Sequence, residues 1–417
     1  MKRVLAVMLA ISLLLVGVSF SKTVVTFWES MGGDLGKTLS QIVDNFNSQH
    51  ANIEVKAIYV GSYNTLQEKL LASAVGGGLP TISQVYSNWT AALMKSNVIQ
   101  PLQTFIDNPQ IGLSKSQVDD IWAPFLKANT WNGQLVTLPF NKSIYILFVN
   151  QDALALAGVS IPKTVPELIK DLPLLTIKDS SGKVIQYALG LRTTVDTYEV
   201  FLRQNGSDFI SSDYKTATLN TPVALETLQT LVDMMKSGDV LGQGGYLDGP
   251  FGNGQIAMYI DTSAGLSYTS SSVGGKFAWT IAPVPAWKTQ AAPFAGTDLA
   301  IFNTASPAEQ EAAWEFVKFL LKPEIQAFWA IKTGYLPVTQ SAIDTQAWKT
   351  YAASNPMANI LVSLIPYGTS DPGIAVWSQI RNDVGTLVSD AMFFKKTPQE
   401  ALQIAQQEVT KDLQQSQ

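Results

Sequence analysis

Between Lys22 and Val60 the chain reads strand, helix, strand, and this order constrains the fold more than any other feature. "KTVVTFWES" alternates as a strand does. "GGDLGKTLSQIVDNFNSQH" then places Leu35, Leu39, Ile42, Val43 and Phe46 at helical spacing, and "IEVKAIYV" is a second strand. Strands joined through a helix point the same way, so the pattern predicts a βαβ unit in a parallel sheet. The helix "SYNTLQEKLLASAVGGG" and the short apolar run "TISQVY" repeat the theme. The segment up to Tyr86 therefore reads as an open α/β domain, in which ligands bind at the carboxyl ends of the strands.

Further on, "SIYILFVN", Ser143 to Asn150, predicts a strand, and "QDALALAG" a helix ending at Gly158. In "IPKTVPELIKDL", Thr164 and Glu167 have the spacing of a capping box. From there to Val284 the pattern suggests helices separated by loops rich in Gly, Ser and Asp. "DLAIFN" returns as a strand, and "SPAEQEAAWEFVKFLL" follows as a helix with Ser306 as cap and Pro307 at its first position. The segments "WSQIRNDVGTLVSDAMF" and "TPQEALQIAQQEVTKDLQQ" are amphipathic helices. No tandem repeat or low-complexity linker interrupts the chain, which predicts two packed lobes. In "IKTGYLPVT", Gly334 gives a left-handed helix exit and Pro337 prevents the helix resuming, so the turn holding Tyr335 is stiff.

The N-terminus shows where such a protein works. Lys2 and Arg3 precede the apolar run "VLAVMLAISLLLVGVSF", and Ser19 and Ser21 suit a cleavage site, so residues 1–21 read as a secretory signal peptide, with an uncleaved membrane anchor as the alternative. No other segment is apolar enough to span a bilayer. Cysteine is absent, which excludes disulfides, thiol nucleophiles and a lipid-modified cysteine tether. A free periplasmic protein is expected. Charged residues are 15% of the chain and the net charge is −5, which argues against nucleic acid because phosphate backbones demand a basic stripe.

Catalytic constellations find few members. The single histidine, His50, reads as a solvent-facing loop residue, so no Ser-His, Cys-His or His-zinc arrangement can assemble. Glu29, Asp261 and Asp298 are the carboxylates with unusual surroundings and would be the acids of a periplasmic glycosidase or lyase; each also reads as a cap or turn residue. The helix N-terminus after Gly32 and Gly33 can offer free amides to an anion, but no Walker or dinucleotide fingerprint accompanies it. Ten tryptophans and thirteen tyrosines suit a cleft that stacks on CH-rich ligands. Trp314, Phe316, Phe319, Phe328 and Trp329 lie on one helical run and are predicted core. Trp28, Tyr86 and Trp89 follow predicted strands and are ligand candidates.

Taken in order, "FWESMGGDLGK", "YVGSYNT", "LPTISQVY", "LPFNKSIYILFVNQDAL", "NGQIAM", "KTGYLPVT", "QIRNDV" and "KKTPQEAL" resemble the extracellular solute-binding proteins of bacterial ABC importers over nearly the whole mature chain. The resemblance implies two α/β lobes joined by crossover strands, residues 22–141 with 296–345 and residues 142–295 with 346–417. The lobes would close around one small ligand, without catalysis or cofactor. It also implies a monomer whose closed form a membrane permease recognises. Carried over position by position, the ligand would be held by Tyr63, Ser143, Ser263, Gly296, Tyr335 and Arg381, which keep the expected residue types, and by Ser87, which does not. At Ser87 the relatives that take glycerol phosphate have a glutamate, and their tryptophan-rich segment is replaced here by "GLRTTVDTYEV" around Arg192 and Tyr198.

On this resemblance Arg381 is the expected phosphate anchor, with charge-assisted hydrogen bonds of about 1.5–3 kcal/mol each. Tyr335, Ser263 and the Gly296 amide would satisfy the remaining oxygens. Lys142 would add a second charge at the hinge or be solvated. From spacing alone, Arg381 equally reads as a helix-surface residue, solvated or paired with Glu400. The expected ligand is glycerol-3-phosphate or a related phosphorylated glycerol compound such as a glycerophosphodiester. The alternative is a neutral oligosaccharide, which the aromatic content and Ser87 favour.

Overall fold

The computed structural model describes residues 22–416; the signal-peptide reading of residues 1–21 lies outside them. A 12-stranded sheet runs through the molecule, and its main path is Val240–Gln243, Val184–Arg192, Ile256–Thr262, Leu138–Asn150, Ala292–Phe302, Ile82–Val85, Thr23–Glu29 and Ile53–Tyr59. At one end Thr23–Glu29 pairs in parallel with both Ile53–Tyr59 and Ile82–Val85, as the opening pattern requires. The connecting helix Gly33–Gln49 buries Leu39, Ile42, Val43 and Phe46, and the Phe46 ring meets Phe316 and Phe319 edge-on at 5.1 and 5.3 Å. The predicted capping box of Thr164 with Glu167 forms, and the predicted Ser306 cap forms one as well, with Glu309.

The middle of the chain differs from expectation. Between residues 184 and 283 lie four strands, Val184–Arg192, Val240–Gln243, Ile256–Thr262 and Trp279–Pro283. "IAMYIDT" is buried on both faces and so shows no alternation, and "VLGQ" is too short to carry a period. The aromatic run also divides, into helices Pro307–Leu320 and Pro323–Thr333, because Pro323 opens a second helix. Trp314, Phe316, Phe319 and Trp329 are buried as predicted, and Phe328 is partly so. His50 is half-buried rather than solvent-facing: it ends the helix Gly33–Gln49, its Nδ1 donates to the Phe46 carbonyl at 2.8 Å, and its ring stacks on Phe46 at 3.9 Å.

Two long strands tie the halves together. All 13 residues of Leu138–Asn150 are buried, and the strand begins five residues before the predicted Ser143. It pairs antiparallel with Ala292–Phe302 through Leu138 to Ile144, then with Ile256–Thr262 and Trp279–Pro283 through its second half. Ala292–Phe302 continues the other way and pairs with Ile82–Val85. Pro139 is tolerated because its partner is Asp298, next to the register shift between Gly296 and Asp298. Gly296 has φ +92°, and a Cβ there would lie 1.7 Å from the Asn141 carbonyl oxygen, so only glycine lets the strands cross this closely. At the same crossing Lys142 Nζ lies 2.6 Å from Asp298 Oδ1, and Asn129 Nδ2 donates to that oxygen at 2.9 Å. Lys142 is therefore neither solvated nor a charge facing a ligand: it is a buried partner of Asp298. Among the described residues no helix is long and apolar enough to cross a membrane.

Candidate ligand-binding site

One side of the candidate cleft is organised by Asn141 on the long strand. Its Oδ1 accepts from Gln84 Nε2 at 2.9 Å and from Thr297 Oγ1, and its Nδ2 donates to the Tyr63 hydroxyl at 3.0 Å. Tyr63 is placed by the start of helix Tyr63–Gly76, whose cap Ser62 accepts from the Thr65 amide. Tyr335 is placed from the other direction. Gly334 ends helix Pro323–Thr333 with φ +78°, and the Tyr335 ring then lies parallel to Trp329 at 5.6 Å. Its hydroxyl lies beside Asn141 and the Tyr63 hydroxyl. Tyr86 meets Tyr63 edge-on at 5.3 Å and packs on Trp89. Burial pushes the phenols of Tyr63, Tyr86 and Tyr335 upward, so all three are neutral hydroxyl groups at ordinary pH. Of the three aromatic candidates, Trp28 and Trp89 are buried in a core cluster against which half-buried Tyr86 packs.

The facing side is ionic. Helix Val195–Gln204 carries Asp196, Glu199 and Arg203 three and four residues apart, which puts them on one face. Arg381, on helix Trp377–Met392, donates through one terminal nitrogen to Glu199 and through the other to Asp196. Glu199 is shared with Arg203 at 2.5 Å, and Arg203 also contacts Asp208 at 3.1 Å, Asp371 at 3.5 Å and Thr369 Oγ1 at 2.7 Å. Four carboxylates thus share two guanidiniums, and because Glu199 is partly protonated near neutral pH the cluster carries between one and two negative charges in excess. Burial opposes the Arg381 charge, but Glu199, Asp196 and Asp371 outweigh it and hold the guanidinium well above its ordinary value. Burial likewise pushes Glu199 up to about 7 in spite of Arg203 and Arg381.

The expectation that Arg381 presents free paired donors to a phosphate meets two carboxylates already in that position. Its alternative partner, Glu400, instead accepts from the Thr397 amide at 2.9 Å. Arg192 lies 3.8 Å from Asp261 and over the Tyr246 ring at 4.7 Å. Tyr198 is buried and donates to the Ala224 carbonyl at 3.2 Å, away from the cleft. A cavity of about 440 Å³ reaches Arg381 and is lined by Thr193, Val195, Gly385 and Asp390 among others. None of the three tyrosines borders it.

The two sides touch. Gln67 Nε2 donates to Ser378 Oγ at 3.1 Å, Asn88 Nδ2 donates to the same oxygen, and Ser378 is one turn before Arg381. A Cβ at Gly334 would lie 2.7 Å from the Ser263 carbonyl oxygen. The Tyr86 phenol is acted on by Tyr335 and by Asp371, Arg381 and Asp196, which places Tyr86 within electrostatic reach of both groups. Of the residues singled out in the sequence, Tyr63, Ser143, Gly296 and Tyr335 gather where the strands cross, and Ser143 is buried opposite Ala295. Half-buried Ser87 follows Tyr86 at the start of helix Ser87–Lys95, next to the Asn88 contact with the Arg381 helix. Ser263 opens the short turn Ser263–Gly265, fully buried and with no hydrogen-bond partner on its Oγ.

Three residues central to this geometry were not singled out: Asn141, Asp196 and Glu199. The last two were signalled by the charged face of "VDTYEVFLR". Among the candidate acids, Glu29 accepts from the Met31 amide, Asp261 from the Thr262 amide, and Asp298 is tied to Lys142.

The model of the bacterial extracellular solute-binding proteins matches residues 41–356. The chain belongs to this family. It is 30% identical over 406 residues to the sn-glycerol-3-phosphate-binding periplasmic protein of Pectobacterium atrosepticum, covering 92% of this chain and 89% of that one. Its fold is that of the Mycobacterium tuberculosis glycerophosphocholine complex of the same named protein, with TM-score 0.84, 20% identity and coverage of 94% and 98%. It is equally that of the acarbose-binding GacH receptor of Streptomyces glaucescens, with TM-score 0.82, 20% identity and coverage of 95% and 100%. A solute-binding protein holds its ligand without transforming it, and the paired state of Glu29, Asp261 and Asp298 accords with that role.

Proposed function

We propose that this solute-binding protein is the exported, periplasmic subunit of an ABC importer and that its cleft takes an uncharged polyhydroxylated ligand, a sugar or sugar alcohol. The observation that carries the reading is the sealing of Arg381 by Asp196 and Glu199. An anionic ligand would have to displace one of these carboxylates into surroundings where acids already outnumber guanidiniums, and repulsion at such distances in a poorly solvated site exceeds what one hydrogen bond returns. Hydroxyl groups suit the same surface. Tyr63, Tyr335, Ser87, Ser143 and Ser263 are neutral donors and acceptors, the Gly296 amide is a donor, and Asp196 Oδ2, which accepts from Thr194 Oγ1 at 3.2 Å, has a further lone pair for a sugar hydroxyl. Arg381 then acts by holding the two acids in place. This reverses the order of the ligand expectations drawn from the sequence.

We assign residues 22–141 with 296–345 to one lobe and 142–295 with 346–417 to the other, because the long strands cross at Lys142 and Gly296. Ligand would bridge the lobes and favour the closed form, which the permease partner reads. The second reading, a phosphorylated glycerol compound, is favoured by one observation: relatives 30% identical over most of the chain carry glycerol-3-phosphate in their names. A thermal-shift panel of glycerol-3-phosphate, glycerophosphocholine, maltose and sorbitol separates the two, since a ligand bound only by the folded state raises the melting temperature. Stabilisation by the neutral compounds is expected. Stabilisation by the phosphorylated compounds alone would hand the site to the second reading.

A further inference from the structure

We propose that Asp196 and Glu199 are the specificity-determining residues of the cleft: they occupy from within the chain the seat that an anionic ligand would take on Arg381. The proposal rests on the neutral-ligand reading and explains how one architecture would reject anions without losing its arginine. Three features support it. A guanidinium offers its fork of donors in one plane, and here each terminal nitrogen is already engaged by a carboxylate on one helix face, so a phosphate approaching that fork must compete with both acids. The two acids are not equivalent. Glu199 is buried and shared with Arg203, whereas the Asp196 side chain is partly exposed beside the half-exposed space around Arg381. Finally, Arg203 forms an ion pair with Glu199 independently of Arg381, so the inner acid keeps a cationic partner if the outer one is changed.

Asp196 is therefore the gate and Glu199 its fixed support. Replacing the carboxylates by their amides removes negative charge while keeping shape, which frees Arg381 donors for an external anion and leaves the tyrosine side untouched. The experiment measures binding of glycerol-3-phosphate, inorganic phosphate and maltose by calorimetry to the wild type, D196N and the double variant D196N/E199Q. Circular dichroism establishes which are folded. The wild type is expected to show no phosphate binding up to millimolar concentration. D196N should gain glycerol-3-phosphate binding at least tenfold tighter than that limit, and the double variant should gain more.

Should the double variant fail to fold, D196N alone decides, because its side chain is the less buried of the two. Introducing R381K into D196N must abolish the gain, which separates release of Arg381 from a general loss of repulsion. A folded D196N that binds phosphate no better than a wild type indifferent to phosphate overturns the gate while the neutral-ligand reading stands. Tight binding of glycerol-3-phosphate by the wild type itself overturns both.

Discussion

Around Asn141, Tyr63, Tyr86 and Tyr335 meet without a formal charge; across the cleft, Arg381, Arg203, Asp196, Glu199, Asp208 and Asp371 form a web in which each group depends on its neighbours. The neutral wall is held by ring packing and shared hydroxyl contacts, so loss of one member leaves the others satisfied. In the ionic wall, removing one guanidinium strands buried carboxylates, and breaking a buried pair destabilises far more than making it stabilises. The first wall is suited to shape and hydroxyl recognition, the second to charge selection. A site that depends on both should respond differently when each is cut.

The largest effect is expected from Arg381→Ala. Glu199 and Asp196 lose their shared partner, and the ligand-free protein should lose about 3–5 kcal/mol in urea unfolding. A free ligand anchor would behave otherwise, weakening binding while leaving the unfolding midpoint near that of the wild type; that result would dissolve the contrast between the walls. Gly334→Ala should come next and acts on the contact between them. Its left-handed conformation costs a side chain about 1–2 kcal/mol in any state of the protein. The 2.7 Å approach to the Ser263 carbonyl exists where the lobes meet, so ligand affinity should fall about tenfold beyond the stability loss. Equal losses in both measurements would mean that Gly334 serves only the turn.

Tyr335→Phe should be milder still. The ring keeps its stack on Trp329, and only the hydroxyl shared with Asn141 and Tyr63 is removed, which should cost about 1 kcal/mol of stability. A loss as large as that of Arg381→Ala would show that the neutral wall is as interdependent as the ionic one.

The same contrast separates what the sequence disclosed from what it hid. The parallel end of the sheet was legible because helix and strand periods alternate there, and the Gly334 exit because a left-handed turn has few residues able to make it. The strand Ile256–Thr262 was hidden because burial on both faces erases its period. On the neutral wall Tyr335 was visible through its turn and Tyr63 through the family resemblance, but Asn141 was not, since an asparagine within an apolar strand reveals its role only once its partners are brought to it. On the ionic wall the charged stripe was present in "VDTYEVFLR", yet its partner Arg381 lies 182 residues beyond Glu199. No local rule pairs groups so far apart, and Lys142 with Asp298 escaped for the same reason.

The smallest expected effect tests the charge balance itself. If the ligand is uncharged and Arg381 is already neutralised, little long-range Coulomb energy changes on binding. Raising the salt from about 0.1 M to about 1 M, which shortens the screening length from about 10 to about 3 Å, should then alter affinity by less than about twofold. An anion would meet the excess negative charge of the ionic wall, so salt would screen that repulsion and its affinity would rise. An anion bound mainly by a liberated Arg381 would show the opposite sign, because salt weakens an exposed attraction. Calorimetric titration, at the two salt concentrations, of whichever panel compound binds therefore has three distinguishable outcomes, and only the flat one is consistent with one wall neutral by composition and the other neutralised at Arg381 by its own acids.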